Sequence, residues 1–112
     1  MPKDLKFSVL LDYYGKMLTD KQRDVLGLYY NEDLSLSEIS QIVGTSRQGV
    51  MDIIKRSEVQ LISLDEKLSL TKLYKDIDCA VVLLKQVINS GVSAEIKSKL
   101  KDAIDKLSIE EV

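Results

Sequence analysis

The sequence predicts an all-α protein, a helix-turn-helix bundle with a long helix leading into a C-terminal helical extension. Apolar residues recur three and four apart through most of the 112 positions, the period of helices that bury one face. Thr19 with Gln22 and Ser35 with Glu38 are capping boxes that mark helix starts, and Gly44 and Gly91 fall where helices should stop. Read this way, the chain holds six helices and no strand.

The first helix runs from Leu5 to about Leu18, with Phe7, Leu10, Leu11, Tyr14, Met17 and Leu18 on its apolar face. Gly15 interrupts it at up to about 1 kcal/mol relative to alanine, unless close packing needs the missing side chain. Tyr13 and Tyr14 lack a basic surround, so a core role is expected rather than stacking on bases. Thr19 opens the second helix, from about Asp20 to Tyr30, with Val25, Leu26, Tyr29 and Tyr30 facing inward, and Asn31-Glu32-Asp33 ends it. Ser35 opens a third, with Ile39, Ile42 and Val43 on one face. Gly44 stops this helix, because glycine suits the left-handed turn just past a helix end. Ser46 can cap the fourth helix two residues later, with Val50, Ile53 and Ile54 inward. Helix, short turn and second helix form the geometry that lays a recognition helix in a DNA major groove. The first two helices are expected to cradle this pair, which cannot bury its own apolar face alone.

The fourth helix continues past the motif. Val50, Ile54, Ser57, Leu61, Leu64 and Leu68 are spaced four, three, four, three, four, a heptad seam that asks for a partner helix. That partner is either the chain's own C-terminal region or a second copy, and a homodimer is expected. The pattern breaks around Ser69-Leu70-Thr71 and restarts with Leu73, Ile77, Ala80, Val81, Leu84 and Ile88, ending at Asn89-Ser90-Gly91. Ser93 caps a last helix with Ile96, Leu100, Ala103, Ile104 and Leu107 inside. Its outer Lys97, Lys99, Lys101 and Lys106 are interleaved with Asp102 and Asp105 and read as a solvated face. Ile109 to Val112 should fray. The organisation expected is a helix-turn-helix head over residues 1–60 and a C-terminal helical region over 61–112, used for dimerisation or packing within the chain.

Charge and composition narrow the function. Sixteen Lys and Arg stand against eighteen Asp and Glu, and neither half of the chain is basic. Released counterions supply much of a protein's affinity for nucleic acid, so this balance argues against strong autonomous DNA binding. With no histidine, one cysteine and five scattered glycines, the chain offers no metal site, thiol couple or phosphate-binding loop. The carboxylate pairs Asp76/Asp78 and Asp102/Asp105 are explained by solubility. No catalytic residue, cofactor or metal is expected, and the protein is not expected to be an enzyme. Cys79 lies in an apolar helical run and is expected to be a small packing residue in a reducing compartment. No signal peptide and no run long enough to span a bilayer is visible, which makes the cytoplasm the expected location and membrane insertion unexpected.

At the leading end of the fourth helix, Arg47 can pair with guanine or a phosphate and Gln48 with adenine, while Lys55 and Arg56, about two turns on, can reach phosphates. The run Leu18-Thr19-Asp20-Lys21-Gln22-Arg23-Asp24-Val25-Leu26, followed by Leu36-Ser37-Glu38-Ile39-Ser40 and Gly44-Thr45-Ser46-Arg47-Gln48-Gly49-Val50, resembles region 4 of bacterial sigma factors. More closely, the chain resembles the YlxM family of small helical proteins. That resemblance rests on Leu10 to Tyr14, Leu18 to Gln22, Leu28-Tyr29-Tyr30, Leu34 to Ile39, Ser46 to Val50 and Ile54-Lys55-Arg56 taken together. It implies a sigma-region-4-like head and a regulatory part in the signal recognition particle pathway, with that particle's protein or RNA as partner. By position it makes Ser46, Arg47, Gln48, Lys55 and Arg56 the nucleic-acid-facing residues, with a DNA-binding transcription regulator as the alternative. The sequence departs from sigma region 4 at Asp52, whose charge lies near where phosphates would be. It departs also at Gly49, which lowers helix propensity, and at Thr45 and Ser40, which replace apolar residues.

Overall fold

A computed structural model of the chain describes residues 3–107; the expected fraying at Ile109–Val112 lies outside that range. Six α-helices and no strand occur among the described residues: α1 Lys6–Tyr14, α2 Asp20–Leu26, α3 Leu36–Val43, α4 Arg47–Leu68, α5 Leu70–Ile88 and α6 Ala94–Leu107. The chain divides into two units, the first ending at Thr71 and the second beginning at Lys72. All of α4 therefore belongs with the head, whereas the sequence reading placed the division near residue 60.

The sequence signals at helix ends act as local chemistry says they should. Thr19 and Ser35 each form both halves of a capping box, with Gln22 and Glu38. Gly44 closes α3 at φ 71° and donates its N–H to the Ser40 carbonyl at 3.0 Å. Two turns depart from α geometry. Gly15–Met17 tightens into a 3-10 turn, and Gly27–Asn31 widens into a π turn closed by the Glu32 N–H on the Gly27 carbonyl at 3.1 Å. The tightening changes the phase of the first apolar face, so Met17 leaves the core and is 53 % exposed, while Leu18 stays buried.

The head's core joins Phe7, Leu10, Leu11 and Tyr14 of α1 to Val25 and Leu26 of α2, Tyr30 of the π turn, Ile39 of α3 and Val50, Ile54 and Leu61 of α4. Burying each such side chain contributes roughly 1.5–3 kcal/mol, which is why the central helix is held along most of its length. Val50, Ile54, Ser57 and Leu61, the first four residues of the heptad seam, are all buried, and α4 packs against α1, α2 and α3. These four seam residues are thus covered by the chain's own N-terminal helices. Ser57 fits this apolar face by donating its hydroxyl to the Ile53 carbonyl one turn back, at 2.6 Å.

Polar anchors fix the ends of this arrangement. Lys3 donates to the carbonyls of Tyr29 and Leu34, each at 2.7 Å, pairs with Asp33 at 3.2 Å and lies over the Tyr29 ring, so the amino-terminal arm holds the α2–α3 connection. The buried Tyr14 hydroxyl donates to Asp65 at 2.6 Å and accepts the Leu70 N–H at 2.9 Å. Asp65 also accepts the Thr71 N–H at 3.3 Å. Two first-turn amides of α5 are therefore satisfied by α1 and α4, across a break where Ser69 adopts φ 55°.

In the second unit α5 and α6 are amphipathic, yet neither helix carries a buried residue. Cys79 is exposed on α5, so the expectation of a packed thiol does not hold: it lies off the half-buried stripe of Ile77, Ala80, Val81, Leu84 and Ile88, on a face it shares with exposed Val82 and Leu83. No helix among the described residues is long and apolar enough to cross a membrane.

Candidate functional site

The recognition helix is positioned by a turn whose parts fit one another. Ser46 caps α4, its hydroxyl accepting the Gly49 N–H at 3.0 Å. Ser40, inside α3, donates to the Thr45 carbonyl across the corner at 2.5 Å. A Cβ on residue 49 would lie 2.6 Å from the Thr45 γ-methyl and 3.2 Å from the Ser46 hydroxyl, so Gly49 is the residue that lets Thr45 sit over the helix start. The sequence reads Gly49 only as lowering helix propensity. In the structure the space left by its missing side chain is taken by the turn itself. Ser40, Thr45 and Gly49, three departures from the usual motif, work together as one lock.

The capping box at the head of α3 is equally settled. The Ser35 N–H, and after it the Ser35 hydroxyl, hold the Glu38 carboxyl below the usual carboxylate range. At the far side of α4, Tyr30 donates its hydroxyl to Glu58, tying the π turn to the recognition helix. Burial, then that carboxylate, pushes the Tyr30 phenol well above its ordinary value.

The five sequence-derived residues are all exposed: Ser46, Arg47, Gln48, Lys55 and Arg56. Helical spacing from the buried stripe Val50, Ile54, Ser57 and Leu61 sets Gln48, Asp52, Lys55, Arg56 and Val59 on the opposite, outward side. Arg47 lies nearer the edge of the buried stripe and is set apart from that row. The Gln48 amide donates to Asp52 at 3.0 Å, so a carboxylate sits in the middle of the face, bound to the side chain expected to read adenine. Lys55 and Arg56 flank it, and among the described residues neither they nor Arg47 make an ion pair. Val59 extends the face as an apolar spot, 68 % exposed.

One motif residue is misplaced by the sequence reading. Ile42, expected on the inward face of α3, is 61 % exposed and lines a shallow groove with Arg23, Leu28 and Val43. An eight-residue helix buries a narrow stripe, and here Ile39 is its one fully buried residue, with Leu36 and Val43 half-buried beside it. Among the described residues, no three His, Cys, Asp or Glu come together as a metal site.

This geometry, a capped α3, a left-handed glycine corner and an exposed α4 leading end, is that of a helix-turn-helix, and residues 1–108 match the family of YlxM / p13-like helix-turn-helix proteins, UPF0122. The chain belongs to this family. A UPF0122 protein of Clostridium kluyveri is 43 % identical over 107 residues, covering 93 % of this chain and 96 % of its own length. One from Clostridium perfringens is 42 % identical over 112 residues, covering 96 % and 97 %. One from Caldanaerobacter subterraneus subsp. tengcongensis is 45 % identical over 89 residues, covering 79 % and 76 %. The likeness to the clostridial proteins covers head and C-terminal helices alike, so both units of this YlxM-like chain are part of what its relatives share.

Proposed function

We propose that this chain is a non-enzymatic adaptor or regulator in the signal recognition particle pathway, docking through its helix-turn-helix head onto the particle's protein or its RNA in the cytoplasm. The observation that carries this reading is the Gln48–Asp52 pair at the centre of the outward face. A carboxylate there repels a phosphate backbone, while its mixture with Lys55, Arg56 and the exposed Val59 suits a partner surface that carries both signs and an apolar spot. Support for the pathway comes from the YlxM resemblance. The test is binding of labelled protein to the particle's GTPase, with and without its RNA, beside duplex DNA at moderate salt. Binding to the particle with a change in its nucleotide turnover is expected, and neither binding nor a changed turnover sinks the reading.

A DNA-binding regulator is the second reading, favoured by the exposure of Arg47, Lys55 and Arg56, which make no ion pair among the described residues. In that case Arg47→Ala costs about 1–3 kcal/mol and relaxes sequence preference. Lys55→Ala weakens binding to every sequence and lowers the salt slope by roughly one. Duplex binding indifferent to both changes excludes it.

A further inference from the structure

Between the π turn and α3 the head carries a shallow groove of about 520 Å³ that the fold leaves unfilled. Leu28 and Val43, both half-buried, and the 61 % exposed Ile42 give it an apolar floor. Gly27 lies in the same lining, and neither backbone nor packing accounts for it. Its φ of −60° and ψ of −45° are ordinary helical values, and a Cβ there would meet nothing within 4 Å. Alanine would therefore fit the position and hold the helix better. A glycine where the fold needs none suits a backbone that a second molecule approaches closely. It also opens the π turn, a widening of the helix found frequently at functional sites.

The rim of the groove is acidic. Asp24 and Glu32 are exposed and make no ion pair among the described residues. The cation in the lining, Arg23, is already held: its guanidinium donates to the Gly15 and Leu18 carbonyls, at 3.1 and 3.4 Å, and pairs with Asp20 at 3.2 Å. Two carboxylates beside an apolar floor attract an apolar anchor flanked by lysine or arginine, and repel a phosphate backbone. The walls are helical, no strand edge is offered among the described residues, and no aromatic side chain lines the groove. Of the ways proteins hold peptides, that leaves a helix laid in a groove. We propose that this groove takes a basic amphipathic helix of a partner protein, with an apolar side chain seated over Gly27 and cationic ones against Asp24 and Glu32. It shares no residue with the face of α4 that carries Gln48, Lys55 and Arg56, so either surface can fail its test while the other stands.

The probe is a fluorescein-labelled helical peptide of leucine, alanine and lysine, about 14 residues or roughly four turns long, with its leucines in one stripe. Fluorescence anisotropy with the full chain is expected to show binding in the micromolar range. Gly27→Leu fills the groove from its floor: it should melt no lower than the wild type, yet bind the peptide about tenfold or more weakly. Asp24→Lys with Glu32→Lys should weaken the lysine peptide by a similar factor. The same double variant should take up the peptide with glutamate in place of lysine, which the wild type should not bind. The proposal is overturned if the lysine peptide does not bind, if Gly27→Leu binds it as the wild type does, or if the glutamate peptide binds the wild type equally well. A Gly27→Leu protein that melts below the wild type would return the glycine to the fold and overturn it too. Sedimentation of the wild type alone tests a second copy as occupant: self-association that Gly27→Leu abolishes would overturn the proposal in its favour.

Discussion

Replacing a glycine inside a helix with alanine ordinarily stabilises a protein by up to about 1 kcal/mol, because alanine has the better propensity and the smaller loss of backbone freedom. Gly49, in the first turn of α4, should do the reverse. The added Cβ would stand 2.6 Å from the Thr45 γ-methyl, about 0.8 Å inside the nearest ordinary van der Waals approach, and 3.2 Å from the hydroxyl that caps the helix. To relieve the contact Thr45 must turn about its stiff χ1 or shift a backbone whose carbonyl is held by Ser40. Overpacking of this kind costs about 1–3 kcal/mol, so after the propensity gain Gly49→Ala should lose on the order of 1 kcal/mol. Urea unfolding of four proteins measures this: wild type, Gly49→Ala, Thr45→Ser and the double variant. Serine at 45 removes the offending methyl, so alanine at 49 should be neutral or mildly stabilising in that background, with a coupling of about 1 kcal/mol or more between the sites. If Gly49→Ala stabilises the wild type by its full helix propensity, the reasoning about the turn is wrong.

Other outcomes follow from the anchors. Tyr14→Phe removes the hydroxyl that joins Asp65 and the Leu70 N–H, and should cost about 1.5–3 kcal/mol with early loss of exchange protection at the Leu70 amide, read by hydrogen exchange. Tyr30→Phe leaves Glu58 without its donor at a cost of about 1–2 kcal/mol. Because the folded Tyr30 phenol is raised above the unfolded value, its contribution is present below the ordinary tyrosine pKa of about 10 and lost as pH climbs past it, so alkaline melts of the wild type should fall more steeply than those of the phenylalanine variant. Glu38 has the opposite sign. Its folded carboxyl is depressed, so its contribution is present above the ordinary glutamate range and lost as pH falls through the folded value. Glu38→Gln keeps the capping box without the titration, and its melting temperature should converge on that of the wild type in acid.

What the sequence made legible is what is decided within a few residues. Both capping boxes, the left-handed Gly44 and the Ser46 cap need only side chains three or four positions apart, and each forms as the spacing predicts. The apolar stripe of α4 was legible too, but not what fills it, because a period of 3.5 specifies a buried face and leaves the covering helix open. Met17 and Ile42 were misplaced because periodicity assumes one unbroken helix and a wide contact. A 3-10 turn breaks the first assumption, and a short α3 the second. At the candidate site the side chains named from the sequence are exposed, but their relations were not legible. Asp52 lies one turn from Gln48, a spacing that allows the bond without requiring it.

The charge on the outward face also limits what kind of partner could be held. Three cations, Arg47, Lys55 and Arg56, lie on the leading part of α4. If all three neutralised phosphates on duplex DNA, the salt dependence would have a slope of about −2.7, and a fourfold rise in salt would weaken binding only about 40-fold. A slope that shallow accompanies a correspondingly small electrostatic contribution, which Asp52 lowers further. Substantial affinity through this head therefore has to come from contacts that salt does not weaken: the exposed Val59, the Ile42 groove and the shape of a helix held firmly at its leading end by the Ser40–Thr45–Gly49 lock. Binding that survives high salt and fails on Val59→Lys would place the energy in apolar contact with a protein. Binding that vanishes with salt and ignores residue 59 would return it to phosphates.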